Sequence, residues 1–169
     1  MTSSAGYCLA SPIQLSQFRT LDRWRERIDP DALLEFTEAT RALNPVTELT
    51  CLVAVLAGRP SGHGLAAAVP VPALGAGLRL WQVSEAALLA LQGADGDPES
   101  EWDDIVALWK AAPGSVSSGC VDAELLALLD QLRQLAGRAT RHTALYCWRV
   151  SNTNRVNAPH TSSETVNCA

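Results

Sequence analysis

Asn44-Pro45-Val46-Thr47-Glu48-Leu49-Thr50-Cys51-Leu52-Val53-Ala54-Val55-Leu56-Ala57 is the stretch on which the fold turns. The Asn44 side chain can accept a bond from a free backbone N–H of a first helical turn. Proline at the first helical position gives up an N–H that had no intrahelical partner. The residues that follow are apolar on nearly every side, through Val46, Leu49, Leu52, Val53, Val55 and Leu56, and Gly58 closes the run. That pattern predicts a helix over 45–57, buried on most of its surface and central to the fold.

The same device recurs at Ser11-Pro12, Asp29-Pro30 and Asp97-Pro98, each ahead of an apolar-periodic stretch. The first predicts a helix over 12–28, with Phe18, Leu21, Trp24 or Arg25, and Ile28 recurring at helical spacing and Arg19, Arg23, Arg25 and Arg27 on its other face. The second predicts a helix from Pro30 that turns Leu33, Leu34, Phe36 and Leu43 toward the core. The last predicts a helix through Trp102, Ile105, Val106, Leu108 and Trp109, ended by Pro113-Gly114. Ser84 caps 85–92, with Gly93 as the stop, and the leucines at 125, 126, 128, 129, 132 and 135 stripe a long helix over 121–136. The glycine- and proline-rich stretch 59–77 crosses as a loop or short extended pieces, and Leu78–Val83 alternates weakly enough for one strand.

Leucine and alanine dominate a chain of 169 residues that is 47% hydrophobic, while Phe and Tyr are scarce. Such a chain is long enough for one core. The expected fold class is therefore all-α: a four-helix-bundle-like domain with a Gly/Pro-rich crossing and at most one short strand pair. The expected boundaries are an N-terminal arm at 1–10, the bundle at 11–150 and a polar tail at 151–169. Met1–Ala10 lacks the basic start and apolar run of a signal peptide, and the most apolar stretch, 49–57, is about half of what a bilayer requires. Five widely spaced cysteines without a C-x-x-C pair read as reduced thiols in a cytosolic setting rather than as a disulfide or zinc framework.

Charge is divided along the chain. Between Ser84 and Asp130 ten acidic residues face one base, Lys110, a net of −9; the remainder sets eight acids against twelve arginines, a net of +4. The densest acidic run is Asp95, Asp97, Glu99, Glu101, Asp103 and Asp104. It reads either as complementation of a helix dipole or as a self-repelling carboxylate cluster, sensitive to pH or cations where copies of the chain meet. Calcium could be held there, although the run lacks the glycine-centred loop of an EF-hand; no other cofactor or metal is expected.

Catalytic signatures are weak. His63 between glycines reads as a turn residue, and Cys147 with His142 lacks a third, orienting group. Phosphate-loop, dinucleotide and zinc-protease motifs are absent. The chain is not expected to be an enzyme. Its five tryptophans, Trp24, Trp81, Trp102, Trp109 and Trp148, are numerous for this length; Trp102, Trp109 and Trp148 read first as core filling, and interface anchoring is the second explanation.

Several short segments resemble the coat proteins of rod-shaped plant viruses of the tobacco mosaic virus type. Ser11-Pro12-Ile13-Gln14-Leu15 resembles that family's opening helix. Phe36-Thr37-Glu38-Ala39-Thr40-Arg41 resembles the end of the helix that brings an arginine to RNA. Leu80-Trp81-Gln82-Val83-Ser84 through Leu88-Leu89-Ala90-Leu91-Gln92-Gly93 is similar to the strand-then-helix passage before the inner loop, and Val121-Asp122-Ala123-Glu124 to the start of the long inner helix. The resemblance implies a four-helix bundle that self-assembles helically around single-stranded RNA. Arg41 and Thr37 would then lie at the phosphate, Asp122 beside the RNA groove, with Arg133 or Arg79 as further cations. The 95–104 carboxylates would drive disassembly.

Two functions are therefore expected: a self-assembling capsid protein of a virion in host cytoplasm, or a cytoplasmic helical module that binds a protein through the acidic helix over 98–112.

Overall fold

In the computed structural model, which describes residues 4–17, 24, 28–58, 66–72, 77–93 and 98–150, the chain begins as a strand, β1 (Ser4–Ala10). There follow α1 (Pro12–Gln17), a 3-10 turn (Pro30–Ala32), β2 (Leu33–Glu35), α2 (Pro45–Leu56), β3 (Ala68–Pro70) and β4 (Leu78–Val83). Next come α3 (Glu85–Gln92), α4 (Pro98–Ala111), a second 3-10 turn (Ser117–Gly119), α5 (Asp122–Gly137) and β5 (Ala144–Val150). The strands form one antiparallel sheet in the order β2-β1-β5-β4-β3. This corrects the all-α expectation: the protein is an α/β fold, and helices α2 to α5 pack on one another beside a five-stranded sheet.

β4 is the strand expected over 78–83, but β1 and β5 are built from sequence that carries no alternation. Six of the seven β1 residues and five of the seven β5 residues are buried, which requires cover on both faces. On one face, Tyr7 Oη donates to the Pro45 carbonyl at 2.9 Å, and Cys147 Sγ lies 3.9 Å from the same oxygen, so α2 sits there by its first turn. On the other, the Trp24 and Trp148 rings meet edge-to-face at 4.9 Å. Where α2 covers Tyr7 and Cys147 and Trp24 covers Trp148, neither face is wet, and period-two polarity has no cause to appear. The residues set apart as an arm, Ser4–Ala10, thus lie between β2 and β5 inside the sheet.

The helix expected from Pro30 ends after one turn. Asp29 caps it by accepting from the Asp31 N–H at 3.1 Å, but Leu33 and Leu34 then pair with Cys8 and Tyr7. Leu34 and Phe36 are buried there, and the Phe36 ring meets Tyr7 edge-on at 5.6 Å. Burial against β1 outweighs the few tenths of a kcal/mol per residue that separate helical propensities. Gly6 makes this pairing close, since a Cβ at that position would run into the Leu34 carbonyl.

The other helices start where the sequence places them. Asn44 Oδ1 accepts from the Val46 and Thr47 N–H groups at 3.1 and 3.4 Å, and Ser84 Oγ accepts from Ala87 N–H at 3.2 Å. α5 buries Leu125, Leu128, Leu129, Leu132 and Leu135, the expected stripe. Of the helix expected over 12–28, Pro12–Gln17 is helical and Trp24 and Ile28 are buried. Residues 18–23 and 25–27 lie outside the described residues, as do His63, Asp95, Asp97, the Glu99 side chain, Cys168 and the 151–169 tail.

Candidate functional site

Glu48 sits in the first turn of α2 and is fully buried. Its carboxylate accepts from Trp109 Nε1 at 2.9 Å, from Ser115 Oγ at 2.8 Å and from the Val116 N–H at 2.9 Å. A buried carboxylate needs that many donors to offset its lost hydration. The consequence is geometric: one side chain locks the start of α2 to the end of α4 and to the loop that follows it. Ser117 Oγ, 2.6 Å from Ser115 Oγ, extends the same chain of bonds.

With α2 and α4 held this way, a cleft of about 530 Å³ opens between them and α3. Val55, Leu56, Leu89, Ala90, Trp102 and Ile105 supply its apolar lining, and Glu101 stands at its edge. Leu89 is 60% exposed. Leu108, 59% exposed, continues the line of Glu101 and Ile105 along α4 at helical spacing. Two large aliphatic side chains left in water beside an apolar cleft are an unpartnered surface. Glu101 lines the cleft, and Asp103 and Asp104 are exposed on the same helix, α4. Arg133 reaches from α5 to lie over the Trp102 ring, its guanidinium carbon 4.4 Å from the centroid, and Trp102 is buried in the cleft's lining.

The residues expected at RNA are spread over the molecule. Arg41 is bound to Glu38 at 3.3 Å. Thr37 and Thr40 close a local turn, in which Thr40 Oγ1 accepts from the Thr37 N–H at 2.9 Å. They border a second cleft, of about 350 Å³, that Glu35, Glu38 and Glu124 also line. Asp122 pairs with Lys110 Nζ at 2.6 Å. Arg133 faces Trp102, and Arg79 lies in β4 directly opposite Arg149 in β5. No hydrogen bond or ion pair given for the described residues joins any two of the five.

No group of three metal-ligating side chains occurs among the described residues, so the described part of the acidic run does not form a calcium cage. Cys147 and His142 are not brought together: the thiol is buried under Pro45, while His142 is exposed in the preceding turn beside Arg141. Burial pushes the Cys8 thiol up to about 12 and the Cys147 thiol higher still. Burial also raises Cys51 and Cys120, both helped by the nearby Glu48 carboxylate and Cys120 by Glu124 as well. These four cysteines are free and protonated at neutral pH, the wrong state for a thiolate nucleophile. No helix among the described residues is long and apolar enough to cross a membrane.

Sequence reasoning passed over Glu48, although one acid within an otherwise apolar helix was the available signal. Leu89 and Leu108 had none, because an exposed leucine and a core leucine read alike. Comparison with known protein families, with curated proteins and with solved structures finds no match.

Proposed function

We propose that this protein is a non-enzymatic interaction module that docks a basic, amphipathic segment of a partner protein in the cleft between α2, α3 and α4. The observation that carries the reading is the exposed pair Leu89 and Leu108 beside that apolar cleft, with the Glu101 carboxylate in its lining and Asp103 and Asp104 exposed on the same helix. Apolar anchors in a groove supply affinity, and complementary charge at the rim sets partner choice and speeds encounter. The net −9 of the Ser84–Asp130 segment selects a cationic partner.

The reading is tested with a fluorescein-labelled helical peptide of alternating leucine and lysine faces, and with its glutamate-faced counterpart. The lysine peptide binds saturably and more weakly as salt rises, and Leu89→Asp and Leu108→Asp each weaken it at least tenfold. Equal binding of both peptides, or undiminished binding by the two variants, would overturn it.

Assembly into an RNA-packaging coat is the second reading. The bundle on which that resemblance rests is absent, and Arg41 and Asp122 are occupied by partners within the chain. The exposed α4 carboxylates are what still speaks for it. It expects light scattering to report growth from pH 8 to pH 5 in the presence of RNA, whereas the module reading expects constant mass.

A further inference from the structure

The antiparallel register of β4 and β5 sets Arg79 directly opposite Arg149, and both are exposed. Directly opposed residues share a sheet face, with Cβ atoms about 5 Å apart, and like charges in that position destabilise the sheet. No described residue pairs with either arginine to relieve the repulsion. Strands β1, β3, β4 and β5 contain no acidic residue, and among the described residues neither guanidinium has an ion-pair or hydrogen-bond partner. A protein of net charge −5 has carboxylates to spare, yet it sets two cations side by side with no carboxylate of the described residues paired to either.

The same face supplies a third group. Trp81 follows Arg79 by two residues, pairs with Cys147 on β5 and with Pro70 on the edge strand β3, and is partly exposed. Helix α2 covers this face at Tyr7 and Cys147. One strand step further, at Arg79 and Arg149, the face is open. Two adjacent guanidinium groups chelate phosphate oxygens, and an indole beside them offers a stacking surface for a base.

We propose that Arg79, Arg149 and Trp81 form a binding site for single-stranded nucleic acid, with the arginines on backbone phosphate and the tryptophan on a base. The site lies on the sheet, is separate from the α2–α3–α4 cleft, and does not depend on what the cleft binds. Phosphate contacts give affinity without sequence reading, so the site tracks any unpaired strand.

The test is fluorescence anisotropy of labelled U12 RNA with the full chain at about 50 mM salt and upward, where each phosphate contact on a single strand contributes about −0.7 to the slope of log K against log salt. Wild type binds with a slope near −1.4 for two such contacts, and Arg79→Gln or Arg149→Gln brings it to about −0.7. The double variant loses at least tenfold in affinity. Trp81→Leu weakens U12 but leaves binding of inorganic polyphosphate unchanged, which separates stacking from charge; a polyphosphate preference in wild type would point to a plain anion site and overturn the base contact. Because each arginine substitution removes repulsion, its melting temperature equals or exceeds that of wild type, so lost binding is not lost folding. Leu89→Asp leaves U12 binding intact. Absence of wild-type binding, or a double variant that binds as wild type does, overturns the proposal.

Discussion

Trp109 Nε1 donates to Glu48 Oε2 across 2.9 Å, joining residues sixty-one positions apart in sequence where neither meets solvent. The bond ties the first turn of α2 to the last turn of α4, two of the three helices that border the cleft. Replacing Glu48 by alanine strips the indole N–H, the Ser115 hydroxyl and the Val116 N–H of their acceptor at once. Hydrogen bonds to a charged group contribute about 1.5–3 kcal/mol each, and the loss is partly recovered by water or relaxation. Glu48→Ala is expected to lower the stability read from urea unfolding by about 3 kcal/mol. It should also change the near-ultraviolet dichroism of Trp109.

Alkaline pH should unfold the protein earlier than a surface titration would. Burial raises the Cys8 thiol from its ordinary value near 9 to about 12 and Cys147 beyond that. The native state therefore holds protons that the unfolded chain releases, and stability falls as pH rises from about 9 to about 12. Below pH 9 the contribution is complete and flat. Urea midpoints measured from pH 7 to pH 11 should show this decline, and the Cys8→Ala, Cys147→Ala double variant should flatten it. Both thiols should also resist alkylation at pH 8 until denaturant is added.

Gly6 tests the closeness of β1 and β2. A methyl group there meets the Leu34 backbone carbonyl, which cannot swing aside as a side chain would. Gly6→Ala is expected to cost about 2 kcal/mol, as overpacking of a tight site does, and to shift the thermal midpoint down by several degrees. Gly119→Ala, where a Cβ meets nothing, is the control and should leave the melt unchanged.

The guanidinium of Arg133 over Trp102 provides a fourth test. Arg133→Ala removes the cation from the ring face and should destabilise the fold by about 1 kcal/mol. It should also free Trp102 to move, which red-shifts its fluorescence and weakens peptide binding in the cleft.

How far the sequence could be read depended on how local the deciding contacts were. Asn44-Pro45, Ser84 and the α5 leucine stripe were legible because a cap and a helical face are settled within a few residues. Most of the sheet was not. Tyr7 and Cys8 look like any short apolar run until Cys147, Tyr146 and Leu34 lie beside them, and cover on both faces erased the alternation that would have marked the strands. The candidate sites followed the same rule. The acidic run around α4 was visible in the chain, whereas the pairing of Arg79 with Arg149, seventy positions apart, was not.

The sequence by itself therefore determined where helices begin, which leucines turn inward and how charge divides along the chain, since each depends on neighbours within one or two turns. Only the tertiary structure decided that the two ends of the described chain, Ser4–Ala10 and Ala144–Val150, pair at the heart of a sheet. It also decided that Leu33 and Leu34 leave a helix to join that sheet. The physical reason is that strand pairing takes its energy from partners distant in sequence, and burial against them exceeds the small local preferences that a reading of the chain can weigh.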